Sequence, residues 1–242
     1  MYVEPDRFCA KLSCGELVSL SGKSAVETLR RGDCLLGGVL RVWPVLAVIS
    51  GVLSLQSILH DGRKTISTFF MPGDIIDLRE SPHAIRGGLV ALSRAEVCKL
   101  SPKVFEAIMA KNVAAQQLVM SNLRGQNFRA HEHAADLAKK QALEKLASFI
   151  FECRNRDTVG VQRNRVRIPV RRVDLADYLG MQPETVSRCF RELEEGGTIR
   201  RTDLNSFQIV DAPALRRIAD GDRRTASELR PPEPDLKVYR FG

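Results

Sequence analysis

The sequence predicts an α+β chain: a roll of short β-strands, then one long helix, then a winged helix-turn-helix. Three observations carry this expectation. Short β-branched runs recur between turn signals across residues 27–100. Residues 113–137 contain no proline and a single glycine, Gly125. Within residues 173–199, two short helical patterns meet at Gly180-Met181.

The β runs fall at residues 45–49, 52–58, 65–70, 89–92 and 96–100. Turn signals separate them at Arg31-Gly32-Asp33, His60-Asp61-Gly62-Arg63 and Met71-Pro72-Gly73-Asp74. Such runs favour the pleated backbone, and Asp61-Gly62 between two of them marks a tight hairpin, where glycine accepts a positive φ. Several short strands at close spacing imply a small barrel or jelly roll.

Ser101-Pro102 starts a helix, with the proline ring preset for the first turn. In the following stretch Val113, Leu118, Met120, Leu123, Phe128 and Leu137 form an incomplete apolar stripe at helical spacing. A helix of that length spans roughly 35 Å. A small barrel covers little of it, so the same helix from a second chain is the expected partner; the alternative is a helix lying on its own barrel. Residues 140–153 form a further helix, with Leu143, Leu146, Ala147 and Ile150 on one face, and the basic stretch 154–167 reads as loop and edge strand.

The pattern Asp174-Leu175-Ala176-Asp177-Tyr178-Leu179 is a short helix that stops at Gly180, the residue type suited to a left-handed helix end. Pro183 restarts the chain at a first helical position. Val186, Phe190 and Leu193 then point inward, leaving Glu184, Ser187, Arg188 and Arg191 outward. Two short helices at a tight turn form a DNA-reading unit whose second helix enters the major groove. Arg188 suits guanine or a phosphate, Glu184 accepts from the cytosine amino group, and Ser187 permits close approach. Residues 198–201 and 206–210 read as a wing joined at Asp203-Leu204-Asn205, which brings Arg200 and Arg201 near the DNA backbone. The plain alternative is a helical hairpin with solvated charges.

Composition agrees without deciding the matter. The chain has 242 residues, a formal net charge of +8 and a pI near 9.4, and most of the basic surplus lies from Lys139 onward. Such a surplus attracts phosphate backbones. No apolar run is long enough for a membrane span; residues 39–59 are interrupted by Arg41, Pro44, Ser50 and Gly51, among others. Residues 1–11 lack the basic-then-apolar order of a secretory signal, so a cytoplasmic location is expected. No phosphate loop, nucleophile elbow or paired acid–base motif supports an enzyme. His131 and His133 sit two apart on a helix, point to different faces and read as solvated surface. The expected organisation is an N-terminal segment (1–26), a β-roll domain (27–110), a dimerisation helix (111–138), a winged helix-turn-helix domain (139–220) and a flexible tail (221–242).

The run Asp177-Tyr178-Leu179-Gly180, followed by Glu184-Thr185-Val186-Ser187-Arg188, resembles the Crp/Fnr family, specifically its Fnr and FixK branch. His60-Asp61-Gly62-Arg63 through Phe69-Phe70-Met71-Pro72-Gly73-Asp74 resembles the family's barrel hairpin, and Lys139-Lys140 to Ile150 its domain-joining helix. The resemblance covers nearly the whole chain. It implies a cyclic-nucleotide-binding-like jelly roll and a homodimeric transcription activator that works with RNA polymerase. It also implies a palindromic double-stranded site similar to TTGAT-N4-ATCAA, read by Glu184, Ser187 and Arg188. Thr185, Arg191, Arg200 and Arg201 complete the expected DNA-binding set. Dimer geometry independently predicts half-sites about one helical turn apart.

The sensed signal is less legible. Cyclic-nucleotide members carry a glutamate soon after the glycine turn and an arginine-serine pair beyond it. Here the segment is Gly73-Asp74-Ile75-Ile76-Asp77-Leu78-Arg79-Glu80-Ser81-Pro82, and Arg86 precedes Gly87, so no cyclic nucleotide is expected. Fnr proteins hold a [4Fe-4S] cluster on three N-terminal cysteines and one internal cysteine. Val97-Cys98-Lys99 resembles the internal site, Cys9 and Cys14 lie where N-terminal ligands would, and Cys34 is the remaining candidate. Four thiolates are what such a cluster requires. The alternatives are that Cys34 and Cys98 are small buried hydrophobes, or that the protein is a cofactor-free FixK-type regulator. Such a regulator would be controlled by its abundance or by oxidation of Cys189. A haem-linked sensor finds no supporting motif around His60 or His83.

Overall fold

The computed structural model describes residues 8–13, 15–16, 24–79, 87–156 and 164–222. Among these residues eight strands form the N-terminal roll: β1 (Ser24–Leu29), β2 (Cys34–Leu35), β3 (Val45–Ser50), β4 (Leu53–Ile58), β5 (Lys64–Phe70), β6 (Ile75–Asp77), β7 (Leu89–Ala91) and β8 (Ala95–Leu100). They make two antiparallel four-stranded sheets, ordered β1-β8-β3-β6 and β2-β7-β4-β5. The Asp61-Gly62 turn joins β4 to β5 as expected, with Gly62 at φ 85°. A short helix, α1 (Gly37–Val42), interrupts the roll.

Side-chain alternation along the strands creates three packing layers. Leu46 and Val48 of β3, Val97 of β8, and Leu53, Phe70 and Leu89 fill the space between the sheets. On the outer face of the first sheet, Val45, Ile75, Cys98 and Leu100 pack against helix α2 (Pro102–Lys111) and the long helix α3 (Val113–Lys139). Phe8 and Leu12, from and beside a 3-10 turn at Phe8–Lys11, join that layer, and Phe8 lies 5.7 Å from Phe105. The outer face of the second sheet, at Val52, Ile66 and Phe69, packs instead into the C-terminal core.

Part of helix α3 lies on its own barrel, one of the two alternatives open in the sequence. Ala115 and Val119 are buried on the roll. Farther along, Asn122 accepts from the Ile75 N–H at 3.0 Å, and Gln126 donates to the Ile75 carbonyl at 2.8 Å. β6 is the edge of its sheet, and these amides satisfy backbone groups that an edge strand leaves open. The apolar stripe therefore divides. Leu118 and Leu123 pack partly against the roll, whereas Val113, Met120 and Phe128 are 61%, 50% and 63% exposed.

The C-terminal part comprises α4 (Ala142–Arg156), β9 (Arg165–Arg167), α5 (Arg172–Leu179), α6 (Pro183–Glu195), β10 (Ile199–Asp203), β11 (Ser206–Ile209) and α7 (Ala212–Ala219). The strands form one sheet in the order β10-β11-β9. Leu146, Ile150, Leu175, Leu179, Val186, Phe190, Phe207 and Leu215 share its core. Among the described residues no helix is long and apolar enough to cross a membrane. The architecture is α+β, with an N-terminal jelly roll, a long helix and a winged helix-turn-helix.

Candidate nucleic-acid interface

Helices α5 and α6 meet at Gly180, which caps α5 in the left-handed region at φ 63° and ψ 42°. A Cβ there would carry a steric penalty, so glycine ends the helix within one residue. Pro183 starts α6, where its missing N–H is one the helix would leave unpaired. Val186, Cys189, Phe190 and Leu193 are buried on one side of α6. Glu184, Ser187, Arg188 and Arg191 are exposed on the other, with Thr185 half-buried between.

The exposed row is chemically open. None of the ion pairs between described residues uses Arg188 or Arg191. The Ser187 hydroxyl donates to the Pro183 carbonyl at 2.9 Å, which turns its oxygen lone pairs outward as acceptors. A guanidinium with no ion pair among the described residues, on the first turns of a helix fixed from behind, suits bidentate contact with a base edge.

The wing is less uniform than its sequence suggests. Arg200 is exposed. Arg201 is drawn back: it pairs with Glu194 of α6 at 3.2 Å and lies 5.3 Å from the Phe207 ring centre. In this geometry Arg201 ties the wing to the reading helix.

Arg172 was not singled out by any motif, yet it supports the site from beneath. Its guanidinium lies 3.2 Å from the Phe190 ring centre and 5.6 Å from that of Phe207. Burial, with Arg201 nearby, pulls Arg172 down to about 10, and Glu194 opposes the shift. It remains a cation at neutral pH, wedged between reading helix and wing. A residue that acts through two aromatic rings far along the chain leaves no periodic signal.

His133 is likewise corrected. It is no solvated surface residue but stacks on Tyr178, with ring centres 3.8 Å apart and planes inclined by 2°. Tyr178 in turn donates to Glu152 at 3.2 Å. Glu152 belongs to a cluster with Arg129, Arg156 and Asp74 that joins α3, α4 and the turn before β6.

The cysteines divide across the roll. Cys98 faces outward from the first sheet in the same layer as Phe8 and Leu12. Burial pushes its thiol up to about 11, and neighbouring Cys9 adds to the shift while Ser24 opposes it. Cys34 belongs to β2 of the other sheet, where it is exposed and donates to the Gly87 carbonyl at 3.4 Å. Its neighbour Leu35 points into the layer between the sheets, so Cys34 points away from Cys98 with a sheet-to-sheet spacing of about 10 Å between them. This corrects Cys34 as a ligand alongside Cys98: adjacent strand residues point to opposite faces. Cys14 lies outside the described residues. Cys34 and Cys98, on opposite faces of the roll, do not fit as ligands of one [4Fe-4S] cluster. Cys189 is buried on the inward side of α6, and burial, then Glu192, raises its thiol against the opposing effect of Arg188. A buried thiol with a raised pKa is a poor redox sensor, because the thiolate is the reactive form.

Comparison with known proteins agrees with this arrangement. A family profile described as "Crp-like helix-turn-helix domain" matches residues 144–218. The nitrogen fixation regulation protein FixK of Azorhizobium caulinodans is 31% identical over 176 residues, covering 72% of this chain and 71% of that protein. The transcriptional activator protein FnrL of Cereibacter sphaeroides is 26% identical over 219 residues, 88% of each chain. Among solved structures, FixK2 from Bradyrhizobium japonicum superposes with a TM-score of 0.67 at 24% identity, covering 81% of this chain and 96% of that one.

Proposed function

The chain belongs to the Crp/Fnr family of transcription regulators, in its Fnr/FixK branch, and from that premise we propose a homodimeric activator that reads a palindrome similar to TTGAT-N4-ATCAA. The observation that carries the proposal is the outward row of α6. Glu184, Ser187 and Arg188 are exposed together on a helix whose other face is locked in the core. Arg191 and Arg200 extend the row toward the phosphates, and Thr185 lies at its edge.

The dimer reading rests on α3. Val113, Met120 and Phe128 recur at seven- and eight-residue spacing, on the side turned away from the roll. A second α3 would bury that stripe as in a coiled coil, giving two reading helices in symmetric half-sites. As an activator the dimer engages RNA polymerase from its DNA site. The opposite placement of Cys34 and Cys98 supports a regulator that binds DNA as a cofactor-free protein of the FixK kind, with Cys189 serving packing.

The test is a titration of the full chain against the palindromic duplex and a scrambled duplex of equal composition. Tight binding to the first alone, by a species with twice the chain mass, is the expected result. Equal binding to both would overturn the base-reading role of α6. Protein purified without oxygen should be colourless; an absorption band near 400 nm (roughly where iron–sulfur charge transfer falls) that fades in air would restore the cluster reading.

A further inference from the structure

Away from the reading face, charge is concentrated where α5 meets the roll of its own chain. The Asp174 carboxylate is 3% exposed and accepts from Arg31 and from Arg171, each at 3.1 Å. Lys64 lies 3.9 Å from Asp174 and 2.7 Å from Asp177, one helical turn farther on. Arg31 sits in the turn between β1 and β2, and Lys64 opens β5. Two of the three cations around a buried aspartate therefore come from the sensory roll. Beside this ionic rim lies an apolar centre, with Phe69 of β5 4.6 Å from Tyr178 and 6.0 Å from Phe149.

A buried carboxylate tolerates burial only while its cations are in place. If the reading head swung off the roll, Asp174 would keep Arg171 alone and regain water. Its burial therefore depends on docking. The link between α3 and α4 is short, with Lys140 extended at ψ 149°, so the angle of the head depends on contacts of this kind.

We propose that Arg31 and Lys64, with Asp174 and Asp177, form an ion-pair latch that holds the reading head at one angle on its own roll, making Asp174 a positioning residue for DNA binding. The consequence for DNA rests on the palindrome reading above. Two heads held at fixed angles suit one half-site spacing, whereas loosened heads tolerate several.

The latch is tested in the full chain without DNA, by amide hydrogen exchange in α5 and β5. The Arg31→Gln/Lys64→Gln double variant should exchange faster there, and so should Lys64→Asp alone. The charge swap Lys64→Asp/Asp177→Lys, which re-forms the 2.7 Å pair, should exchange more slowly than Lys64→Asp alone. Unchanged exchange in the double variant, or a swap no slower than Lys64→Asp, overturns the latch whatever the protein binds. DNA titration then tests the consequence, using palindromes with the spacer shortened or lengthened by one base pair. The double variant should lose about tenfold in affinity at the native spacing, in line with breaking a buried pair only in part. Its preference among spacers should flatten; Lys64→Asp should show the same two changes, and the swap should recover part of each. Undiminished affinity with sharp spacing preference overturns the positioning role. Wild-type protein that ignores the palindrome would instead count against the DNA site, with the exchange result standing by itself.

Discussion

Helices α5 and α6 meet at one glycine and both carry charge, yet their charges have opposite fates. On α6, Arg188 and Arg191 stand in solvent without an ion pair among the described residues. On α5, Asp174 is buried among three cations, and Asp177 is held by Lys64. The difference lies in the partner. Charge meant for another molecule must stay unpaired until that molecule arrives, because an internal partner would have to be displaced first. Charge meant for the same chain can be buried at once. Exposure without a partner on one helix, and burial with several on its neighbour, distinguish a reading surface from a docking surface.

The sharpest way to break the comparison is Arg188→Ala. DNA affinity should fall by about 1–3 kcal/mol, with relaxed base preference at one position of each half-site. Thermal stability should stay within about 0.5 kcal/mol, as for surface changes in general. Titration on duplexes varied at single positions checks it. An equal loss on every sequence would make Arg188 a phosphate contact.

Arg172→Met tests the group lying between α6 and the wing. It keeps the volume but removes the cation over Phe190 and Phe207, a contact worth about 1–2 kcal/mol where water is excluded. Melting temperature and DNA affinity should fall together, since α6 loses its support. Reduced affinity with unchanged melting would place Arg172 on the DNA.

The same contrast explains what the sequence could disclose. The outward row of α6 was legible because helical periodicity and the Gly180 stop are local, and neighbouring residues decide them. Strands β3, β4, β5, β7 and β8 were legible from β-branched runs for the same reason, whereas β1, β2 and β6 lie outside those runs. Helix α1 was not, since Gly37-Gly38-Val39 has little intrinsic helix tendency. α7 had a readable start that went unused: Asp211 caps it, accepting from the Ala214 N–H at 2.8 Å, just ahead of Pro213. The latch was illegible in principle, because Arg31 and Asp174 are 143 residues apart. Cys34 was misplaced for the converse reason. Which sheet its strand joins, and which face it presents, is a matter of topology.

Tyr178→Phe probes the docking side more gently. It deletes the hydroxyl that donates to Glu152 and leaves the aromatic packing on Phe69 and His133 in place. A loss of about 1 kcal/mol in stability is expected, as for a typical internal hydrogen bond, with base preference unchanged. Denaturant titration and the duplex series measure the two quantities separately.

The smallest effect, and the one most specific to the docking side, is the pH response of His133. Its Nε2 is buried with no hydrogen-bond partner among the described residues. Burial lowers its pKa below the ordinary 6.5, Lys145 adds to the lowering, and Asp136 opposes it. The unfolded chain therefore takes up a proton at a higher pH than the folded one. Stability from this group is complete above 6.5 and is lost as pH falls from there through the lowered folded value. Phenylalanine keeps a ring against Tyr178 and cannot titrate. Between about pH 7 and about pH 5, the wild-type melting temperature should drop more steeply than that of His133→Phe. Parallel curves would mean that the stack ignores protonation, so that His133 contributes only its ring to the docked face.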